Sequence, residues 1–195
     1  LILFLVFGII IIACKREPQQ EIITVSGPIE KDRLGLALTH EHVLVDFIGA
    51  DSTGYFRWNR DSVVAKALPF ILKAKKAGVN AVFECTPEYL GRDPVILREL
   101  SARSGITFIT NTGWYGFNNK FLPGSFNDID VNMLSEKWTG EFVNGIDGTG
   151  IRPGFIKIAV NPGPLLPVQA KIVRAAALTS RATGLAIAAH TGHYQ

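Results

Sequence analysis

Five short apolar runs in this chain end in polar side chains, and amphipathic helical patterns stand between them. The runs cover residues 36–42, 81–86, 106–112, 154–160 and 185–190; the helical patterns cover 61–77, 93–104, 130–144 and 168–182. Near-continuous apolar strands alternating with helices call for a parallel sheet with helices packed on it. Two architectures meet that demand, the (β/α)8 barrel and the doubly wound sheet, and both keep their sites where strands end. No Gly-x-Gly-x-x-Gly or Walker-type loop occurs, which argues against the dinucleotide and nucleotide versions. A complete barrel takes about 250 residues. The reading is therefore a (β/α)8 TIM barrel truncated after about five strands.

Local signals fix the elements. In the first helix Val64, Leu68, Ile71 and Leu72 recur at helical spacing, with Asp61 or Ser62 as the expected cap. Pro69 is expected to kink that helix or split it in two. Asp93-Pro94 opens the second helix and Ser104-Gly105 closes it. Val131, Leu134, Trp138 and Phe142 share a face of the third, and Ile172, Val173, Ala176 and Leu178 are core candidates of the fourth. Residues 22–25, closed by Ser26-Gly27-Pro28, form a small strand or hairpin ahead of the main fold.

The polar strand ends carry the chemistry. His40 and His42 alternate as i and i+2, so they leave their strand on one face. Neutral imidazole is the commonest protein metal ligand, and two from one strand supply half of a tetrahedral site. By themselves they are weak evidence, and the plainer reading is two polar residues at a strand exit. Lys157 sits in an otherwise apolar strand, where a buried ammonium tends to lose its proton. It could also snorkel from an edge or pair with a carboxylate. A neutral amine, however, reacts with CO2 to form a carbamate, whose two oxygens can bridge two cations. His190 ends the next strand. Cys85 reads as a core packing residue.

Together these residues resemble the phosphotriesterase-like family of the amidohydrolase superfamily. The matching stretches are Leu36-Ala-Leu-Thr-His-Glu-His42, Gly91-Arg-Asp93, Arg152-Pro-Gly-Phe-Ile-Lys-Ile158 and Ala188-Ala-His-Thr191. The resemblance implies a barrel of the metal-dependent hydrolase type holding two divalent ions, most often zinc. It implies that His40 and His42 bind the more buried ion, that Lys157, carboxylated by CO2, bridges both, and that His190 binds the more exposed one. It implies hydrolysis of a phosphotriester, lactone or carboxylic ester by a hydroxide bridging the metals. Trp58, Trp114 and Tyr115, from two aromatic loops, are expected to line the pocket for a small-molecule ester or lactone substrate. The family also uses a strand-six histidine and a strand-eight aspartate, which have no counterpart here; His193 is read as a rim residue. The given residues are thus expected to be an N-terminal fragment, aggregation-prone and inactive alone, and a homodimer is left open for the full-length protein. Two other classes stay in view: a cell-surface metal- or solute-binding lipoprotein without catalysis, and an α/β interaction domain whose histidines are incidental.

Residues 1–13 are an uncharged apolar run ending in Ile11-Ile12-Ala13-Cys14, which resembles the lipobox of bacterial lipoproteins. That implies a signal peptide over 1–13, a lipidated Cys14, a tether over 14–25, and the barrel portion over 26–195. The protein is then exported and held to a bacterial membrane by its lipid anchor. A net charge of +3 without a basic cluster gives no case for nucleic acid.

Overall fold

The computed structural model describes residues 21–192. Cys14, the expected signal peptide and His193 lie outside them. The chain opens with an antiparallel hairpin, β1 (Glu21–Thr24) and β2 (Gly27–Glu30), which takes up the end of the span read as tether. The Val25 N–H donates to the Phe108 carbonyl at 3.0 Å and ties the hairpin to the main sheet.

Six parallel strands follow: β3 (Ala37–Glu41), β4 (Ala81–Glu84), β5 (Thr107–Ile109), β6 (Asn111–Thr112), β7 (Phe155–Val160) and β8 (Ile187–Thr191). They pair in the orders β3-β4-β5 and β6-β7-β8. β5 and β6 are two pieces of the expected 106–112 strand, broken at Thr110. After Ile109 the Asn111 side chain takes over the contact with the β4 edge, donating from Nδ2 to the Glu84 and Thr86 carbonyls at 2.9 and 3.1 Å. The backbone itself moves across to pair with β7. The result is an arc of barrel sheet in chain order with β3 and β8 at its edges.

β3 contains an irregularity that decides where its side chains point. Leu38 pairs with Val82, but Glu41 pairs with Glu84, so three steps on β3 match two on β4. An extra residue reverses the facing of everything beyond it. Leu38 therefore packs outward with Val82 against the helices, while His40 turns into the barrel interior toward Lys157.

The helices are α1 (Arg60–Lys76), α2 (Pro94–Ser104), α3 (Val131–Asn144) and α4 (Pro167–Thr183). Asn59 caps α1, accepting from the Ser62 N–H at 2.8 Å, in place of the expected Asp61 or Ser62. The helix also runs through Pro69 as one element. The amide lost there would have bonded the Ala65 carbonyl, and both residues lie on the exposed side, where water can satisfy the carbonyl. Asp93 caps α2 and Gly105 ends it in a left-handed turn at φ +67°, as the sequence signals require.

Two apolar clusters fill the space between strands and helices, one around Phe108, Ile96 and Leu100, the other around Trp138, Ile156 and Ile172. Each such side chain contributes about 1.5–3 kcal/mol on burial. A smaller cluster of Ala81, Cys85, Ile109 and Phe155 fills the concave face of the arc and forms the floor beneath the strand ends. An apolar groove of about 610 Å³ runs between the free edge of β3 and α1, lined by Leu38, Val43, Val63, Phe70 and Ile71. His42 borders this groove too, but His40, Lys157 and His190 meet it in a second cavity.

Candidate metal centre

His40, His42, Lys157 and His190 share one cavity of about 170 Å³ with Thr86 and Tyr115. The rings of His40, on β3, and His42, just past its end, stand 5.3 Å apart between centroids at 62°. Lys157 Nζ lies 3.4 Å from His40 Nε2, and the lysine is only 3% exposed. On the neighbouring strand Ala188 pairs with Lys157 and His190 with Ala159, so His190 sits one pleat closer to the strand end. Its ring packs against Tyr115 and Phe117, at centroid distances of 5.7 and 6.0 Å. Gly113 lets the adjoining strand run tightly past: a Cβ there would fall 2.1 Å from the Lys157 carbonyl oxygen.

The electrostatics favour uncharged nitrogen. Burial, and then the charges of Lys157 and His190, hold His40 below the usual histidine range. Packing around His42, followed by repulsion from His40, Lys157 and His190, lowers its pKa to about 4, although His40 and His42 are both exposed residues. Burial likewise lowers Lys157, with Cys85 opposing weakly. All three shifts run toward the uncharged form, the state in which these nitrogens offer a lone pair.

Among the described residues, no group of three His, Cys, Asp or Glu is arranged to hold a metal ion. Lys157, beside His40, is the further nitrogen that the cavity offers. Imidazole nitrogens together with a carbamate's oxygens suit zinc or a similar divalent ion, and the residues present fit that group.

Two of the three expected pocket aromatics stand elsewhere. Trp58 lines a separate cavity beside Tyr55 and Arg92, because its Nε1 donates to Asp93 Oδ2 at 2.9 Å. Trp114 is 1% exposed in the core, with Nε1 donating to Glu88 at 2.7 Å. In both cases the polar end of the indole finds a buried or half-buried carboxylate rather than the cavity. Tyr115 does line the cavity, with Phe47 as a further wall; Phe121 packs on both rings, 5.9 Å from Tyr115 and 5.7 Å from Phe47.

Sequence reasoning gave Asp93 the start of the second helix and left Gly91-Arg92 without a role. Arg92 is buried, donating to both Glu141 oxygens at 2.8 and 2.9 Å and to the Asn111 carbonyl at 3.0 Å. Asp93 caps α2 and also accepts from Arg60 at 2.7 Å. The role of Glu84 and Thr86 was missed too. Thr86 lies 2.9 Å from His42 Nδ1 and 2.5 Å from Glu84 Oε1. Burial pushes the Glu84 carboxyl up to about 7, against the hydrogen bonds from Thr86 and Val43 that favour its charge. Polar residues at a strand end next to a histidine pair were the available signal.

The sequence profile of the phosphotriesterase family matches residues 20–195. A phosphotriesterase homology protein of Escherichia coli is 29% identical over 161 residues, covering 82% of this chain and 53% of that protein. An N-acetyltaurine hydrolase of Tetraodon nigroviridis is 27% identical over 196 residues, covering 87% of this chain and 56% of the relative. The solved organophosphorus hydrolase from Deinococcus radiodurans superposes with a TM-score of 0.79 at 30% identity, over 90% of this chain and 54% of that one. The chain spans about half the length of the curated relatives it matches. Its arc of strands and helices is part of a (β/α)8 barrel, and the chain belongs to the phosphotriesterase family.

Proposed function

We propose that this protein is a metal-dependent hydrolase of ester bonds, acting on a phosphotriester, lactone or carboxylic ester, with His40, His42, Lys157 and His190 as ligands of two divalent ions. The observation that carries this is the near contact of Lys157 and His40 nitrogens in a cavity shared with the other two histidines. A buried lysine and a histidine whose nitrogens stand 3.4 Å apart have no use for each other as cations. As neutral donors they form a site.

When bound, such ions supply Lewis acidity toward water and toward the substrate's C=O or P=O. The chain's own part is to hold that site ready. Lys157, whose pKa burial lowers, would add CO2 in its neutral form through a new N–C bond, release one amine proton to solvent water, and so gain two oxygens. His40 and His42 offer nitrogen from one strand, and His190 from another. The Tyr115 ring and its Phe47 and Phe121 neighbours form an apolar wall that receives an acyl or leaving group and limits water. The similar proteins include an organophosphorus hydrolase and an N-acetyltaurine hydrolase, which supports an acyl- or phosphoryl-type substrate.

The same reading places the protein outside the cytoplasm, anchored to a bacterial membrane by lipid on Cys14. No helix among the described residues is long and apolar enough to cross a membrane.

The test is hydrolysis by the purified intact protein of a panel of aryl phosphotriesters, lactones and carboxylic esters, with zinc or with a chelator. Turnover of at least one class, lost on chelation and restored by zinc, is expected. Turnover indifferent both to chelator and to His40→Ala would reject the reading.

A further inference from the structure

Behind His42 stands a hydrogen-bonded pair that the metal centre does not itself use. Glu84 is 2% exposed, and its carboxylate meets two backbone amides: Val43 N–H at Oε1 and Thr86 N–H at Oε2, both 3.1 Å away. Amides only donate, so both oxygens are acceptors. The Thr86 hydroxyl lies 2.5 Å from Oε1. A hydroxyl has one proton, and with Glu84 ionised that proton goes to the carboxylate. What Thr86 then offers His42 Nδ1, 2.9 Å away, is a lone pair. In that ionised state of Glu84, His42 is the donor in the contact. A neutral imidazole has one N–H, so its other nitrogen, Nε2, is left with its lone pair free.

We propose that Glu84 and Thr86 are positioning residues that lock His42 in the Nδ1–H tautomer and thereby present Nε2 as the metal-binding nitrogen. Ligating histidines depend on such a partner, which fixes both ring orientation and tautomer. The strand order explains why these two residues do it. Glu84 and Thr86 are i and i+2 at the exit of β4, the immediate neighbour of β3. The Val43 amide, next in the chain after His42, closes the loop back onto Glu84. The link from Glu84 through Thr86 to His42 therefore joins the two strand ends at the site. The purpose of the lock rests on the metal-centre reading; the tautomer itself does not.

The test uses intact, metal-free protein labelled with 15N-histidine, in mildly alkaline solution. Long-range 1H–15N correlations separate the two tautomers of His42, and zinc affinity is read by competition with a chromophoric chelator. Wild type and Thr86→Ser should show Nδ1–H and bind zinc alike. Thr86→Val, which keeps the shape but not the hydroxyl, should lose the fixed tautomer and bind zinc about 10- to 100-fold more weakly. A proton on Nε2 in the wild type overturns the proposal, and needs no variant to be folded. So does Thr86→Val with an unchanged tautomer and unchanged affinity. Nδ1–H in a wild type that takes up no zinc supports the lock and overturns the metal-centre reading instead.

Discussion

His40 Nε2 meets Lys157 Nζ at 3.4 Å although β4 and the β5–β6 strand stand between their own strands in the sheet. The contact crosses the concave face of the arc. It exists because the bulge in β3 turns His40 inward and because Lys157 is the one cationic side chain in the buried run of β7. Neither group gains from being charged beside the other.

Lys157 is expected to be carboxylated in the active protein. With 13C-bicarbonate the wild type should show a carbamate carbon resonance and take up more metal than in CO2-free buffer. Lys157→Arg, which stays protonated, should show neither effect. Bicarbonate-independent metal uptake by both proteins would contradict this role.

The metal-free protein should show two opposed pH terms. His42 has its folded pKa lowered from 6.5 to about 4, so its contribution is complete above the unfolded value and is lost as pH falls through that window. Glu84 has its folded pKa raised from 4.5 to about 7, so native protein holds a proton that unfolded chain releases, and stability falls as pH rises between those values. Because Glu84 is fully buried, the wild type should lose on the order of 3 kcal/mol relative to Glu84→Gln across that range. His42→Gln should shift the profile the other way, by less, since that ring is partly exposed. Urea midpoints across the range measure both, and parallel profiles for wild type and Glu84→Gln would refute the assignment.

The Arg92–Glu141 pair is doubly hydrogen-bonded and almost wholly out of water, with side chains 1% and 6% exposed. Glu141→Ala leaves the guanidinium with the Asn111 carbonyl at 3.0 Å and, as carboxylates, only the more distant Glu88 and Asp147, at 3.8 and 3.9 Å. It should cost about 3–5 kcal/mol in a denaturant titration. The double variant Arg92→Met, Glu141→Leu should cost less than the single one. A single variant within about 0.5 kcal/mol of wild type would show that the pair carries no such burden.

Cys14→Ser is expected to release the protein from membranes or leave its precursor unprocessed, since acyl chains anchor by about 0.8 kcal/mol per buried CH2. Unchanged fractionation, with an unmodified Cys14 in the mass spectrum of the wild type, would exclude the anchor.

Much of this was legible in the sequence because its causes are local. Asp93-Pro94 and Gly105 mark α2 at both ends, and Leu134 and Trp138 do fall on the buried face of α3. The facing of His40 was not legible, since a bulge depends on how β3 registers against β4, some forty residues later in the chain. The break at Thr110 has the same origin, a side-chain amide competing for a neighbour's carbonyls. Trp58 and Trp114 were misplaced because an aromatic loop shows its apolar surface in sequence and not its N–H partner. Asp93 and Glu88, which hold those indoles, lie 35 and 26 residues away.

The most direct test of the metal centre is the metal content of the intact protein, purified without chelator and measured by elemental analysis. The wild type should hold about two divalent ions per chain, and the His40→Ala, His42→Ala double variant should lose most of that content together with activity. A folded double variant that keeps the wild-type content, or a wild type that holds none after reconstitution with zinc and bicarbonate, would contradict the account.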